Sequence, residues 1–186
     1  MFYMCTSLSS TPDFSHISSL PEGCLGWAFY GCSKLTHASD LPNSQQIPVI
    51  ACKNMFYGCT SLSTPPSLPA ATTIGIEACY GMFNGCTSLT AAPDIPATIV
   101  GDKGCQYMFN GCKNITKAPR MTISSSGHFG LGSMFSGCSN MSSVSDVHLP
   151  AMSLKGYCYS NMFQNCGSLT SAPELPATSL STCCYR

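Results

Sequence analysis

Apolar positions recur along the chain in two columns, each spaced by about one coil of 26 to 28 residues. The first is Leu8, Leu35, Leu62, Leu89, Ile115, Met141 and Leu169, and the second is Phe14, Leu41, Leu68, Ile95, Met121, Val147 and Leu175. Both are set by one motif, Met-Phe-x-Gly-Cys, whose copies begin at residues 1, 28, 55, 82, 108, 134 and 162. A unit of that length cannot close a core alone, so like units must stack and bury their columns against each other. Within Cys-x-x-Met-Phe-x-Gly-Cys the apolar residues fall three, four and seven apart, which predicts one or two helical turns with a single buried face. Gly31, Gly58, Gly85, Gly111 and Gly137 stand where such a helix would end in the left-handed conformation, with Asn165 the most tolerant substitute and Met4 the exception. The segment after the glycine carries prolines beside the second column, at Pro42, Pro69, Pro96 and Pro176. It is expected to be extended, in short parallel strands weakly paired because proline donates no ladder hydrogen bond.

These residues carry a resemblance. Tyr80-Gly81-Met82-Phe83-Asn84-Gly85-Cys86-Thr87-Ser88-Leu89-Thr90 and Ala172-Pro173-Glu174-Leu175-Pro176-Ala177-Thr178 resemble the BspA-like leucine-rich repeats, and Ala28-Phe29-Tyr30-Gly31-Cys32 is similar to a variant of them. The resemblance runs over the whole chain. It implies an α/β solenoid of leucine-rich-repeat type: a right-handed stack of about seven coils, each a short strand plus a short helical segment. It also implies a bacterial cell-surface or secreted protein with an adhesive role. Two coils depart from the pattern: Met121 to Leu131 reads Met-Thr-Ile-Ser-Ser-Ser-Gly-His-Phe-Gly-Leu, and Ser145 and His148 replace prolines in the next, so a local bulge or altered surface is expected there.

Composition narrows the function. Only 9% of residues are charged and the formal net charge is zero, so there is no basic face for nucleic acid. No apolar run approaches the ~18 residues that cross a bilayer, and no secretory leader opens the chain. The fourteen cysteines fall on repeat columns. One is Cys5, Cys32, Cys59, Cys86, Cys112, Cys138 and Cys166, and the other is Cys24, Cys52, Cys79, Cys105 and Cys158 with Leu131 standing in once and Cys183 or Cys184 closing it. A slot that leucine can fill argues for buried, reduced thiols; Cys79 and Cys86 would lie about 10 Å apart along a helix, beyond the ~7 Å a disulfide spans. Disulfides between coils are the alternative, with Cys183 and Cys184 the best exceptions. No Cys-x-x-Cys pair occurs and His16, His37, His128 and His148 are scattered, so neither a metal nor another cofactor is expected. Interchangeable column cysteines do not make a catalytic nucleophile, and no Gly-x-Ser-x-Gly elbow is present, so the chain is expected not to be an enzyme.

Two sets of residues are candidate binding faces. One residue before the second column stand Asp13, Asp40, Ser67, Asp94, Arg120, Asp146 and Glu174, which hold five of the eight carboxylates. Stacking at ~4.8 Å would make Asp13 neighbour Asp40, and Asp146 neighbour Glu174, a repulsion that a basic partner or Ca²⁺ would relieve; the alternative is a solvated polar edge, which Arg120 favours. The second face is aromatic: Tyr30, Tyr57, Tyr80, Tyr107 and Tyr159, with partly buried flank residues as the alternative. The motif starts at residue 1 and the last copy stops without a polar cap, so residues 1–186 are expected to be one array within a longer protein, or one that associates end to end. The expected function is non-catalytic binding of host or bacterial surface proteins or glycans. The alternatives are a spacer without a ligand and a phage receptor-binding array.

Overall fold

The computed structural model describes residues 1–150, 154–179 and 181–182. Its most regular feature corrects the expectation of a helical segment. No residue among those described is helical; the Met-Phe-x-Gly-Cys region is a ribbon of consecutive turns. From Ala51 to Cys59 the chain turns two residues inward and two outward, so Ala51, Cys52, Met55, Phe56 and Cys59 are buried while Lys53, Asn54, Tyr57 and Gly58 are half-buried. Every fourth residue is left-handed, at Ile50 (φ 59), Asn54 (φ 51) and Gly58 (φ 70). A four-residue period and a 3.6-residue period coincide over so few residues, and the spacing three, four and seven satisfies both.

Hydrogen bonding explains why the ribbon wins. The N–H groups of Lys53, Met55, Tyr57 and Cys59 close turns onto the carbonyls of Ile50, Cys52, Asn54 and Phe56 at 3.1–3.2 Å. The alternate N–H groups of Cys52, Asn54, Phe56 and Gly58 donate to Ala78, Tyr80, Met82 and Asn84 of the next coil, each at 2.8 Å. A helix would direct all of these bonds within its own coil and leave a coil boundary held by side chains alone. Here half the ribbon's backbone bonds tie each coil to its neighbour, so the N–H groups from Cys52 to Cys59 are all paired. The cost is a left-handed residue at each outward corner, about 1–2 kcal/mol apiece for a side chain other than glycine; Trp27, Glu77, Lys103, Tyr107, Phe129 and Ser133 all accept it.

The extended parts are two short parallel sheets. In the larger, β1 (Gln46–Ile47), β2 (Thr73–Ile74), β3 (Ile99–Val100) and β5 (Ser125–Ser126) pair in the order β1-β2-β3-β5. Ile47, Ile74 and Val100 pair with one another and point into the core, while the residues before them, Gln46, Thr73 and Ile99, pair on the outer side. These strands follow the proline segment, a few residues later than the sequence pattern predicts. Where proline is absent the expected segment does pair: β4 (Met121–Thr122) meets β6 (Val147–His148), and Thr122 and His148 stand where other coils have Pro96 or Pro176. Met121 N–H and Ile123 N–H donate to Asp146 and His148 at 3.1 and 3.0 Å, and Thr122 and His148, unlike the prolines at their position in other coils, each have an N–H to offer the ladder. Elsewhere this edge is reduced to single bridges such as Ile95–Met121 and Lys117–Ser143.

The core runs along the stack. Phe2, Phe29, Phe56, Phe83, Phe109, Phe135 and Phe163 form one ladder of nearly parallel rings with centroids 5.4–5.6 Å apart, the offset geometry that ring quadrupoles favour. Leu35, Leu62, Leu89, Ile115 and Met141 are wholly buried, as the first apolar column requires; in the second column Leu175 is 43% exposed. Hydroxyls stitch the outside: Thr36, Thr90 and Ser142 donate to Ser9, Ser63 and Thr116 carbonyls of the preceding coil. The abundant Ser and Thr therefore bind coil to coil as well as solvate.

The Ser124-Ser125-Ser126-Gly127 segment is part of this fabric, because β5 pairs with β3 and Gly127 N–H donates to Val100 at 2.8 Å. Limited proteolysis of the native protein is therefore expected to leave this segment uncut. Two stable fragments with new termini between residues 124 and 127 would show that the stack is divided there.

Candidate functional site

The second cysteine column is not the one expected from the sequence. Leu25 N–H bonds Ala51, Cys52 bonds Ala78, Cys79 bonds Gly104, Cys105 bonds Gly130 and Leu131 bonds Cys158. In step with Cys52, Cys79 and Cys105 stand Leu25, Leu131 and Tyr159, whereas Cys24 and Cys158 lie one residue outside that column. Tyr159 is accordingly only 5% exposed and does not belong to an aromatic surface. The first cysteine column holds as drawn and has a role missed from the sequence. Its thiols donate to the phenylalanine carbonyl of the preceding coil: Cys32 to Phe2 at 3.0 Å, Cys59 to Phe29 and Cys86 to Phe56 at 3.1 Å, and so on to Cys166 and Phe135 at 3.2 Å. The available signal was that leucine enters the second column and never the first.

The twelve described cysteines are free thiols; Cys183 and Cys184 lie outside the described residues. Burial raises the thiol pKa at nine core cysteines from Cys32 to Cys166, to about 12 at Cys59, Cys105 and Cys112, which suppresses the thiolate that reacts or binds metal. Among the described cysteines only Cys5 and Cys24 are exposed, and burial of its sulfur raises Cys24 too. An aqueous disulfide reagent is expected to label Cys5 and then Cys24 in the native protein, with Cys79 and Cys105 labelled only after unfolding. Peptide mapping of the modified sites checks this; early label at Cys79 would mean that the stack opens readily.

The acidic column is exposed but most of it is engaged within the array. Asp13 accepts from the backbone and hydroxyl of Ser15, both at 2.8 Å, which lowers its pKa, the backbone bond most. Asp40 accepts Ser67 N–H at 2.7 Å. Asp94 accepts the Arg120 backbone at 3.1 Å and its guanidinium at 2.7 Å. Asp146 pairs with Lys117 at 2.7 Å, the main cause of its lowered pKa, and Arg120 adds to the effect. Arg120 thus alternates in charge with Asp94 and Asp146. Glu174 is exposed, beside a hollow bordered by Val147 and His148.

The tyrosines do converge, on the outer face of the turn ribbon. Tyr3, Tyr30 and Tyr57 occupy one column and stack at 4.9 and 4.6 Å. Tyr80 and Tyr107 come from the adjoining corners and meet edge to face at 5.6 Å. With Trp27, Asn54, Asn84 and Asn110 they line an open groove of about 530 Å³. The asparagines were missed because each is an ordinary turn residue in sequence; only the ribbon's two-out alternation aligns them with the rings. Beside the groove Lys53 places its ammonium 5.4 Å from the Trp27 ring and 5.1 Å from Tyr80, and pairs with Glu77. That bond, with Lys103 assisting, holds Glu77 below the usual carboxylate range. Burial first, and neighbouring phenols second, raise the pKa of Tyr30 and Tyr80, so the hydroxyls stay neutral.

The chain matches no family model and no curated protein. Among solved structures it is similar to a leucine-rich repeat protein from Bacteroides ovatus ATCC 8483, with a TM-score of 0.56 and 25% identity over 94% of this chain. The fold is of the leucine-rich-repeat type. The present chain spans 39% of that Bacteroides protein. A leucine-rich repeat stack of this kind is a repeat module suited to protein interaction, since its outer columns present regularly spaced side chains on a rigid backbone.

Proposed function

We propose that this leucine-rich repeat chain is a non-catalytic binding module of a bacterial cell-surface or secreted protein, with a protein or glycan as its partner. The observation that carries the reading is the tyrosine and asparagine groove on the turn ribbon. It is open, its lining is uncharged, and it is built on a backbone whose hydrogen bonds are already satisfied, so little ordering is needed on binding. The acidic column is the second candidate face, but four of its five carboxylates already have partners in the array. The likeness of Tyr80 to Thr90 to BspA-like repeats supports the surface assignment. Buried thiols of raised pKa support a role without catalysis.

The test is binding to immobilised extracellular-matrix proteins, mucins and glycans by the parent chain and two variants. One reverses Asp13, Asp40, Asp94, Asp146 and Glu174 to lysine; the other changes Tyr57 and Tyr107 to alanine. Saturable binding lost only in the tyrosine variant is expected. Loss only in the charge-reversed variant would move the site to the acidic column. No binding by the parent would favour a rigid spacer, a reading that the saturated bonding between coils supports.

A further inference from the structure

The groove contains a discontinuity. Tyr3, Tyr30 and Tyr57 stack on one another, so Tyr30 is covered by a ring on both faces while Tyr3 and Tyr57 are each covered by a ring on one. In the next two coils the same column holds Asn84 and Asn110, as the equivalent bonds from Gly31, Gly58 and Gly85 to Tyr57, Asn84 and Asn110 show. The ladder therefore ends at Tyr57, and among the described residues no further ring stacks on its far side. Beyond that side lie two amides at one-coil steps, with the Tyr80–Tyr107 edge-to-face pair lining the same groove. Lys53 already takes up a face of Trp27 and of Tyr80. Tyr57 is the ring that presents a face at the step, next to Asn84 and Asn110.

We infer that this step is a sugar-binding site: the C–H face of a pyranose ring stacks on Tyr57, and its hydroxyls bond the Asn84 and Asn110 amides. The inference rests on the proposed role as a binding module and names its ligand class, a neutral oligosaccharide. Three features favour a sugar over a peptide. The groove lining contains no ionised side chain, and Lys53 beside it is paired with Glu77, so no charged anchor is offered. Strand addition needs free backbone edges, whereas the N–H groups of Cys79, Gly81, Phe83 and Gly85 are bonded to the following coil. An amide donates and accepts at once, which suits the paired hydroxyls of a sugar. Asn54 is held nearby, its Oδ1 filling the space over Gly81, where an added Cβ would lie 2.2 Å away.

Isothermal titration of the full chain with cellohexaose, xylohexaose, mannohexaose, chitohexaose and maltohexaose tests this. At least one is expected to bind saturably. The decisive variant is Asn84→Tyr, which extends the ladder by one ring in a backbone position that already accepts Tyr57, and so covers the platform while keeping the fold. It is expected to weaken binding about tenfold or more with an unchanged melting temperature. Tyr57→Phe keeps the ring face and is expected to retain most of the affinity, and Asn84→Ala with Asn110→Ala to lose much of it. Binding by none of the five sugars, or undiminished binding by Asn84→Tyr, overturns the inference. Fibronectin and collagen form the parallel arm: if either binds through Tyr57 while no sugar does, the binding-module reading stands and the sugar assignment falls. If neither sugars nor proteins bind, both fall.

Discussion

Replacing Phe83 by alanine is expected to destabilise the array by about 3–5 kcal/mol, the range for removing a fully buried aromatic ring from a core that cannot collapse around the gap. Phe83 is wholly buried and has a parallel ring on each side, Phe56 at 5.5 Å and Phe109 at 5.4 Å. Its loss opens two interfaces between coils at once. Its carbonyl also accepts both the turn bond of Cys86 at 3.0 Å and the thiol of Cys112 at 3.1 Å, so relaxation of the backbone into the cavity would strain both. Phe163→Ala is the comparison, because Phe163 is only half-buried and stacks on Phe135 alone among the described residues. Urea unfolding of the two variants should show the larger loss at Phe83. Equal losses would mean that stacking along the ladder contributes little beyond local burial.

The second large effect is expected from Gly101→Ala, although it adds a single methyl group. A Cβ at residue 101 would stand 2.9 Å from both Gly75 C and Ile76 N. Those are backbone atoms of the preceding coil and cannot rotate aside, so the coils must separate. Separation would lengthen the bond from Gly101 N–H to Ile74, now 2.8 Å, and disturb the pairing of β2 with β3. Gly127 is as tight, with an added Cβ 2.7 Å from Gly101 C, so the constraint repeats from coil to coil. Overpacking of this kind costs about 1–3 kcal/mol and can exceed it where nothing yields. Gly167→Ala, where nothing lies within 4 Å, is expected to change stability by less than about 0.5 kcal/mol. Thermal unfolding of the pair decides the matter, and a neutral Gly101→Ala would show that the coils are less closely fitted than the backbone contacts imply.

Both variants bear on how far the structure is legible in the amino-acid order. The Phe83 column is legible, because a ring recurring at a fixed place in each coil has no better place than against its own copies. The close approach at Gly101 is not. Glycine there could equally serve a turn, and only the stacked coils show that the missing side chain makes room for the neighbouring backbone. The candidate site divides in the same way. Tyr30, Tyr57, Tyr80 and Tyr107 could be picked out by recurrence and do meet, but Tyr159 is drawn into the core at the position filled by Leu131 one coil earlier. Asn84 and Asn110 carried no signal until their column was seen to continue that of Tyr57.

The sequence by itself determined the period, the apolar columns that stack and the left-handed glycines at the end of each motif, because repetition at nearly constant spacing leaves one arrangement that buries every coil alike. It also determined that charge would play little part in the fold. Tertiary structure alone decided between helix and turn ribbon. The side-chain pattern fits both over nine residues, and the choice depends on whether alternate N–H groups find carbonyls in an adjacent coil, which is a property of the stack. For the same reason it alone decided where the strands fall, that Asp94 and Asp146 share their charge with Arg120 and Lys117, and that the thiols of one column donate to phenylalanine carbonyls. Each of these is a bond between residues 26 to 31 positions apart, and such pairings form only when the coils are laid in register.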